Sequence, residues 1–149
     1  MLDLKQLIDD LDEFDPHAVL LDIVTRNGER IVELQQEQLA AGIDNTGQPR
    51  IDEYRPFTIQ QKHEFGVGLG AVTDHVTFFM TGEMYSEMSN VIFGDEFEVR
   101  ALGDKFDKMM ERIGDERYGL DEVSRLKFAE EITIPQFAEA LLEKTGLKL

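Results

Sequence analysis

Residues 91–102 read VIFGDEFEVRAL, and this stretch decides the fold class of the chain. Gly94 followed by Asp95 is typical of a two-residue hairpin turn with glycine at its first central position. In that register Phe93 lies opposite Glu96, and apolar and charged side chains alternate along the second strand. The stretch therefore predicts an antiparallel β-hairpin with one buried face.

Two helical patterns precede the hairpin. Apolar residues recur at helical spacing over residues 2–14. Asp15 then caps a second helix that could run to about Ala41, with the interior Gly28 as its weak point. Gly42 is a natural residue to end this long helix.

The middle of the chain is less regular. From residue 43 to about 73 no apolar period holds and glycine and proline are frequent, which predicts an irregular connection of about thirty residues. Loops of that length in compact domains usually serve binding or function. Residues 76–80 have the β-branched and aromatic content of a strand. Residues 83–88 fit either one helical turn or an extended segment.

Helical signals return after the hairpin. Asp104 is predicted to cap a helix that ends near Ile113, with Gly114 after it. Asp121 starts another helix, and Pro135 is expected to open a final one that runs to about residue 144.

This order of elements predicts an α+β fold. Long N-terminal helices and C-terminal helices should pack on a small antiparallel sheet whose hairpin lies near residues 88–102. A chain of 149 residues is long enough for one sizeable core and short for two. We therefore expect a single domain that spans residues 1–149.

The composition is strongly acidic. The chain has 31 Asp and Glu residues against 15 Lys and Arg, a formal net charge of -16. Such a surface argues against specific nucleic-acid binding and against docking on acidic membranes, although DNA could pass it without sticking. The absence of cysteine excludes disulfides, thiolate metal sites and cysteine nucleophiles. The N-terminus lacks the pattern of a signal peptide, and no apolar run approaches the length of a membrane span.

Residues 41–50, AGIDNTGQPR, have the residue types of a calcium loop but not the spacing. Counted from Asp44, the sixth position is Pro49 and the twelfth is Arg55, where a calcium loop needs glycine and a bidentate glutamate. We therefore expect no metal here but a polar turn after the long helix. We predict that this turn, a candidate interface loop, lies at a subunit or partner contact through Asp44, Asn45, Thr46, Gly47 and Gln48.

No enzyme signature emerges from the remaining motifs. The three histidines have no metal-ligand spacing, and GVGLG at residues 66–70 lacks the second half of a dinucleotide motif. Paired acids are expected on solvated faces in so acidic a chain. We therefore predict no catalytic residue and no cofactor. The aromatic and methionine side chains of residues 78–88 could form a binding surface, with core packing the favoured interpretation.

Three segments, in order, resemble a phage structural family. Residues 37–49, EQLAAGIDNTGQP, followed by Tyr54, Thr58 and Lys62, are similar to a Q-L-x-x-G-x-D-x-x-G…Y…T…K pattern. Residues 79–88, FMTGEMYSEM, are similar to L-x-x-T-G-x-[LF]-x-x-S, and residues 117–122, RYGLDE, to F-x-G-L-[ST]-x-[DE]. The positions that carry the likeness in the last two segments are Thr81, Gly82, Tyr85, Gly119 and Leu120.

There are departures from the pattern. Met84 stands where leucine or phenylalanine is usual, and the expected serine is displaced to Ser86 or Ser89. Asp121 stands where serine or threonine is common.

The resemblance is to the phage virion-morphogenesis or tail-completion proteins, which join head and tail. It implies a viral structural protein without catalytic activity. Its partners would be copies of itself, commonly six in a ring around the DNA channel, and other neck or tail proteins: the connector or stopper and the tail tube or terminator. Its location would be the virion, after synthesis in the host cytoplasm. Two alternatives remain open from the residues alone: an acidic regulatory or inhibitor module that binds a basic protein, and a small hydrolase with converging carboxylates.

Overall fold

The computed structural model describes residues 3–50, 53–79, 81–113 and 118–147. Its contacts divide the chain into two compact units, Met1–Gly28 with Leu126–Leu149, and Glu29–Arg125. The single domain over residues 1–149 stays a prediction.

The described residues form an α+β fold, which confirms the predicted class. Helices predominate, and the only sheet in this part of the chain has two strands. In chain order the elements are α1 (Leu4–Glu13), α2 (Pro16–Arg26), α3 (Gly28–Ala40), α4 (Pro56–Phe65), α5 (Glu83–Ser86), β1 (Met88–Phe93), β2 (Glu96–Ala101), α6 (Asp104–Ile113), α7 (Glu122–Phe128) and α8 (Ile134–Thr145).

In the first unit, α8 packs against both N-terminal helices, α1 and α2. The Asp15 side chain accepts a 3.1 Å hydrogen bond from the Ala18 N–H, which confirms the predicted cap of α2. The rings of Phe14 and Phe137 meet edge to face with centroids 5.6 Å apart. These contacts fix the ends of α1 and α2 against the last helix of the chain.

The predicted long second helix is interrupted where the sequence indicated its weak point. Asn27 separates α2 from α3, and its side-chain amide donates a 2.7 Å hydrogen bond to the Ile23 carbonyl. That side-chain bond competes with helix continuation, as asparagine side chains often do.

The C-terminal helices differ from their prediction in one respect. Pro135 lies in the first turn of α8, but no loop precedes it, because a π-helical stretch over Ala129–Thr133 joins α7 to α8. Proline has no N–H to donate to the preceding turn, and the helix accommodates that loss by widening rather than by ending. Gly146 ends α8 in the left-handed region, with φ +72°.

In the second unit, the hairpin has the predicted register. Phe93 pairs with Glu96 and Ile92 with Phe97, and Gly94 takes the positive φ of +58° that its turn position requires. Met88, Val99 and Ala101 are buried. Phe97 shares the face of Val99 but lies near the turn and is exposed.

The irregular connection predicted over residues 43–73 is wrong in its middle, where α4 and a 3₁₀ turn, Gly68–Ala71, form. Apolar periodicity gave no sign of α4 because the side chain that it buries is that of Lys62. Phe57 and Phe65, the large apolar side chains of the helix, are exposed. Pro56 at the first position of α4 is a helix-start signal in the sequence.

The strand predicted at residues 76–80 is also wrong. Residues 76–79 form no β-ladder, and Phe78 has a φ of +57°, while Met80 lies outside the described residues. Val76 and Thr77 are nevertheless almost fully buried. The β-branched composition of this segment therefore indicated burial and not strand pairing. Of the two alternatives left open for residues 83–88, a helical turn forms over Glu83–Ser86 as α5, and Met88 already belongs to β1.

The sequence predicts Asp104 as the cap that precedes the helix after the hairpin, and this is wrong by one residue. Asp104 is itself the first residue of α6, and the carbonyl of the preceding Gly103 accepts from the Phe106 N–H at 3.1 Å. The predicted Gly114 lies outside the described residues. In the part of the chain that the structure describes, no helix is long and apolar enough to cross a membrane.

Candidate interface site

The candidate interface loop begins where α3 ends. The Gly42 N–H donates to the Leu39 carbonyl at 3.0 Å and the Ile43 N–H to the Gln38 carbonyl at 3.1 Å, and Gly42 has a φ of +70°. This pair of bonds is a Schellman motif, so the predicted end of the long helix at Gly42 is confirmed. His75 covers the same helix end, with its Nε2 atom 2.8 Å from the Ala40 carbonyl oxygen.

The loop folds on itself around Asp44. Its Oδ1 atom accepts hydrogen bonds from the backbone N–H groups of Thr46, at 2.9 Å, and Gln48, at 3.3 Å. The Asp44 N–H donates to the Gln48 carbonyl at 2.9 Å, and Ile43 and Pro49 form an isolated antiparallel bridge. An Asp side chain that binds backbone N–H groups in this way shapes a turn. The side chains of Thr46 and Gln48 remain exposed.

The loop and the third family-like segment lie together. The Gln38 side chain, 5% exposed, donates to the Gly119 carbonyl at 2.8 Å, and its oxygen accepts from the Asp121 N–H at 2.9 Å. The Asn45 side-chain amide reaches the Tyr118 carbonyl at 3.5 Å. Gly47 faces Asp121 closely enough that an added Cβ would lie 3.6 Å from its carboxylate. One site therefore joins the candidate loop to the segment that contains Gly119 and Leu120.

Gln38 is the residue that joins them. It is the Q of the first family-like pattern, but that pattern alone assigns it no contact. The sequence does carry a signal that the Gln38 side chain is buried. Gln38 lies on the same stripe of α3 as the buried Ile31 and Leu34, where an apolar side chain is expected. A polar residue at such a position is buried only when its hydrogen bonds are satisfied, as they are here.

The second family-like segment is tied to the same helix by the neighbouring Gln36, whose side chain donates to the Tyr85 carbonyl at 2.8 Å. The Tyr85 hydroxyl donates to the Thr77 carbonyl at 2.6 Å, and its ring meets that of Phe79 edge to face at 5.0 Å. Burial, with a smaller contribution from nearby Tyr54, raises the pKa of Tyr85 well above its usual value. Tyr85 therefore acts as a neutral donor.

Gly82 lies beside an aromatic ring, whereas Thr81 lines a cavity. Gly82 precedes α5 with a φ of +86°, and an added Cβ would lie 3.0 Å from the ring of Phe79. Thr81 is exposed and lines a cavity of 350 Å³, together with Met84 and Met109 among others. Of the aromatic and methionine side chains of residues 78–88, Met88 is buried, whereas Met84 lines this cavity.

Lys62 and Tyr54, which follow the first family-like segment, bond to the backbone in and just before the second. Lys62 is 1% exposed, and its ammonium group donates to the carbonyls of Gly70 at 3.0 Å and Phe79 at 2.6 Å. It also lies 4.7 Å from the centroid of the Tyr54 ring. The Tyr54 hydroxyl accepts a 3.0 Å hydrogen bond from the Thr77 N–H. By bonding to the backbone of Thr77 and Phe79, these side chains hold residues 76–79 in an irregular conformation instead of a strand.

A second cavity, of 790 Å³, lies between β2, α6 and Tyr118. Tyr118 packs against Phe106 at 5.3 Å between ring centroids, and burial raises its pKa well above the usual value, with a further contribution from Glu98. Glu98 and Arg100 also line the cavity, and the Arg100 Nε atom lies 3.6 Å from the Glu98 Oε1 atom. Across the described ranges, no three His, Cys, Asp or Glu side chains are placed to hold a metal ion.

Comparisons with known proteins give no neighbour for this arrangement. No protein-family model, no curated protein and no solved structure matches the chain.

Proposed function

We propose that the chain is a non-enzymatic structural protein of a phage virion, located in the neck or tail. In this proposal copies of the chain assemble as a ring, commonly of six, around the DNA channel and join head to tail. The starting point is the resemblance of three short segments to the tail-completion proteins. What supports the resemblance is that α3, which contains the start of the first segment, bonds to residues of the other two: its Gln38 to Gly119 and Asp121, and its Gln36 to Tyr85.

The observation that carries the assembly is the inverted burial of α4. Phe57 and Phe65 are 69% and 70% exposed, and Val67, just after the helix, is 85% exposed, whereas Lys62 is buried. Single exposed apolar residues are ordinary, but three within residues 57–67, on a helix whose buried side chain is charged, are typical of an interaction surface. Burying each of them against another protein would contribute about 1.5–3 kcal/mol before the costs of association.

A closed ring requires two different surfaces on each subunit, because its contacts run head to tail. In the second unit the hairpin tip exposes Phe97 on one face and Phe93 on the other, and the candidate interface loop exposes Thr46 and Gln48. We propose that the α4 surface of one subunit meets one of these surfaces on the next.

The charge of the chain fits a channel. A net charge of -16 repels the phosphate backbone, so a ring of such subunits would let DNA pass without holding it. The other partners in this proposal are the connector or stopper and the tail tube or terminator.

The test is the assembly state of the full chain. Light scattering after gel filtration, and negative-stain electron microscopy, should reveal ring-shaped oligomers, either alone or with the connector present. The double variant Phe57→Ser/Phe65→Ser should dissociate them, while Val123→Ser, which replaces a residue 71% exposed on α7, should not. A chain that stays monomeric at high concentration and binds neither connector nor tail protein would refute the proposal.

A further inference from the structure

The first helix carries an uncovered apolar stripe. Leu4, Ile8 and Leu11 are 70%, 51% and 42% exposed. Their spacing of four and then three residues places them on one face of α1. This is the spacing with which amphipathic helices contact a partner helix or groove.

The rest of α1 is anchored, so the stripe does not belong to a frayed end. The Asp3 side chain caps the helix by accepting from the Lys5 N–H at 3.0 Å. At the other end Glu13 and Lys144 form a 2.8 Å ion pair, and Phe14 packs against Phe137. The helix is thus fixed to α8 while the stripe stays in solvent.

The stripe is bordered by negative charge. Residues 3–15 contain six acidic residues and one basic residue, Lys5, a net charge of -5. Asp12 lies four residues after Ile8 and therefore next to it on the helix surface. Neither Asp9 nor Asp12 forms an ion pair or a side-chain hydrogen bond with any residue that the structure describes. These carboxylates are available to an incoming cation.

We propose that this α1 stripe is a docking site for a basic amphipathic helix of a partner protein. Apolar side chains of the partner would cover Leu4, Ile8 and Leu11, and flanking lysines or arginines would meet Asp9 and Asp12. Charge selects this occupant over two others. A second copy of α1 would bring two segments of charge -5 face to face, and an anionic lipid surface would be repelled in the same way.

The site is independent of the ring. It uses none of the residues on α4, the hairpin or the candidate interface loop, so either proposal can fail without the other.

The test uses the full chain and two labelled synthetic peptides of about 18 residues, five helical turns. Both carry leucines at the same spacing on one face; one has lysines beside them, the other glutamates. Fluorescence anisotropy measures binding of each peptide to the wild type and to Ile8→Gln, Leu4→Gln and Asp9→Asn/Asp12→Asn. The matched control is Val123→Gln, an exposed apolar residue of another helix, and circular dichroism verifies that each variant keeps its helix content.

The lysine peptide should bind the wild type at least about tenfold more tightly than the glutamate peptide. Ile8→Gln and Leu4→Gln should each weaken it by about tenfold, Val123→Gln should not, and Asp9→Asn/Asp12→Asn should reduce its salt dependence. Equal affinity for both peptides, no binding of the lysine peptide, or binding insensitive to Ile8→Gln would overturn the proposal. So would a dimer of the chain that Ile8→Gln dissociates, because the stripe would then belong to a second copy.

Discussion

The side-chain oxygen of Gln38 accepts a 2.9 Å hydrogen bond from the backbone N–H of Asp121, which lies 83 residues further along the chain. The Asp121 carboxylate in turn accepts from the Ser124 N–H at 2.8 Å and so caps α7. Asp121 is 6% exposed, and its bond to Gln38 is shielded from water. One residue of α3 therefore fixes the start of a helix that local sequence alone would leave unattached.

Gln38→Ala should lower the free energy of unfolding by about 2–3 kcal/mol, because it leaves the Gly119 carbonyl and the Asp121 N–H unpaired in a buried site. Urea denaturation followed by circular dichroism measures the loss. The control is Glu33→Ala on the same helix, where an exposed ion pair with Arg30 is lost and about 0.5 kcal/mol is expected. Equal losses in the two variants would contradict the assigned role of Gln38.

Gly42→Ala should destabilise the chain more than Gly47→Ala. Both glycines have similar positive φ, +70° and +79°, and each substitution costs about 1 kcal/mol for the left-handed conformation alone. At position 42 the new methyl group would also lie 2.6 Å from the ring of His75, whereas at position 47 the nearest atom is 3.6 Å away. Thermal denaturation of both variants isolates this steric difference, and identical melting temperatures would show that His75 does not pack on Gly42.

The sequence was sufficient at several points where adjacent residues determine the structure. The hairpin register, the Asp15 cap and the Gly42 helix end each depend on a few adjacent residues, and each is confirmed. The same holds for Asp121, whose role as a cap needs only the three residues after it.

The sequence was insufficient where the structure depends on contacts with residues distant along the chain. The α4 helix was missed because Lys62 is buried by bonds to the carbonyls of Gly70 and Phe79, which no apolar pattern reveals. The composition of residues 76–80 predicts a strand because burial and strand pairing favour the same residue types. The role of Gln38 at the candidate site depends on residues some eighty positions away. The assignment of the loop to a subunit contact stays a prediction.

Lys62→Met should lower the free energy of unfolding by about 2–4 kcal/mol, because the buried Gly70 carbonyl and the half-buried Phe79 carbonyl lose their donor. Hydrogen exchange in residues 76–79 should also accelerate, since Lys62 holds the Phe79 carbonyl. The control, Lys108→Met, replaces an exposed lysine of α6 and should change stability by no more than about 0.5 kcal/mol. Faster exchange spread evenly over the chain, rather than concentrated at these residues, would contradict the local role of Lys62.

The buried phenol of Tyr85 makes stability depend on alkaline pH. Its folded pKa is raised, chiefly by burial, above the value of about 10 that it has in the unfolded chain. The neutral phenol is therefore favoured by folding, and its contribution is fully present below pH 10. As pH rises from 10 toward the folded pKa, the unfolded chain loses this proton first, and the contribution is lost.

Tyr85→Phe should therefore cost about 1 kcal/mol at pH 8, where the hydrogen bond to the Thr77 carbonyl is lost. The difference from the wild type should shrink between pH 10 and 11, because phenylalanine has no proton to release and the wild type loses its advantage there. Lysines titrate in the same range but do so equally in both proteins, so they cancel in the comparison. Urea denaturation at each pH measures the difference, and a gap that stays constant to pH 11 would contradict a raised pKa for Tyr85.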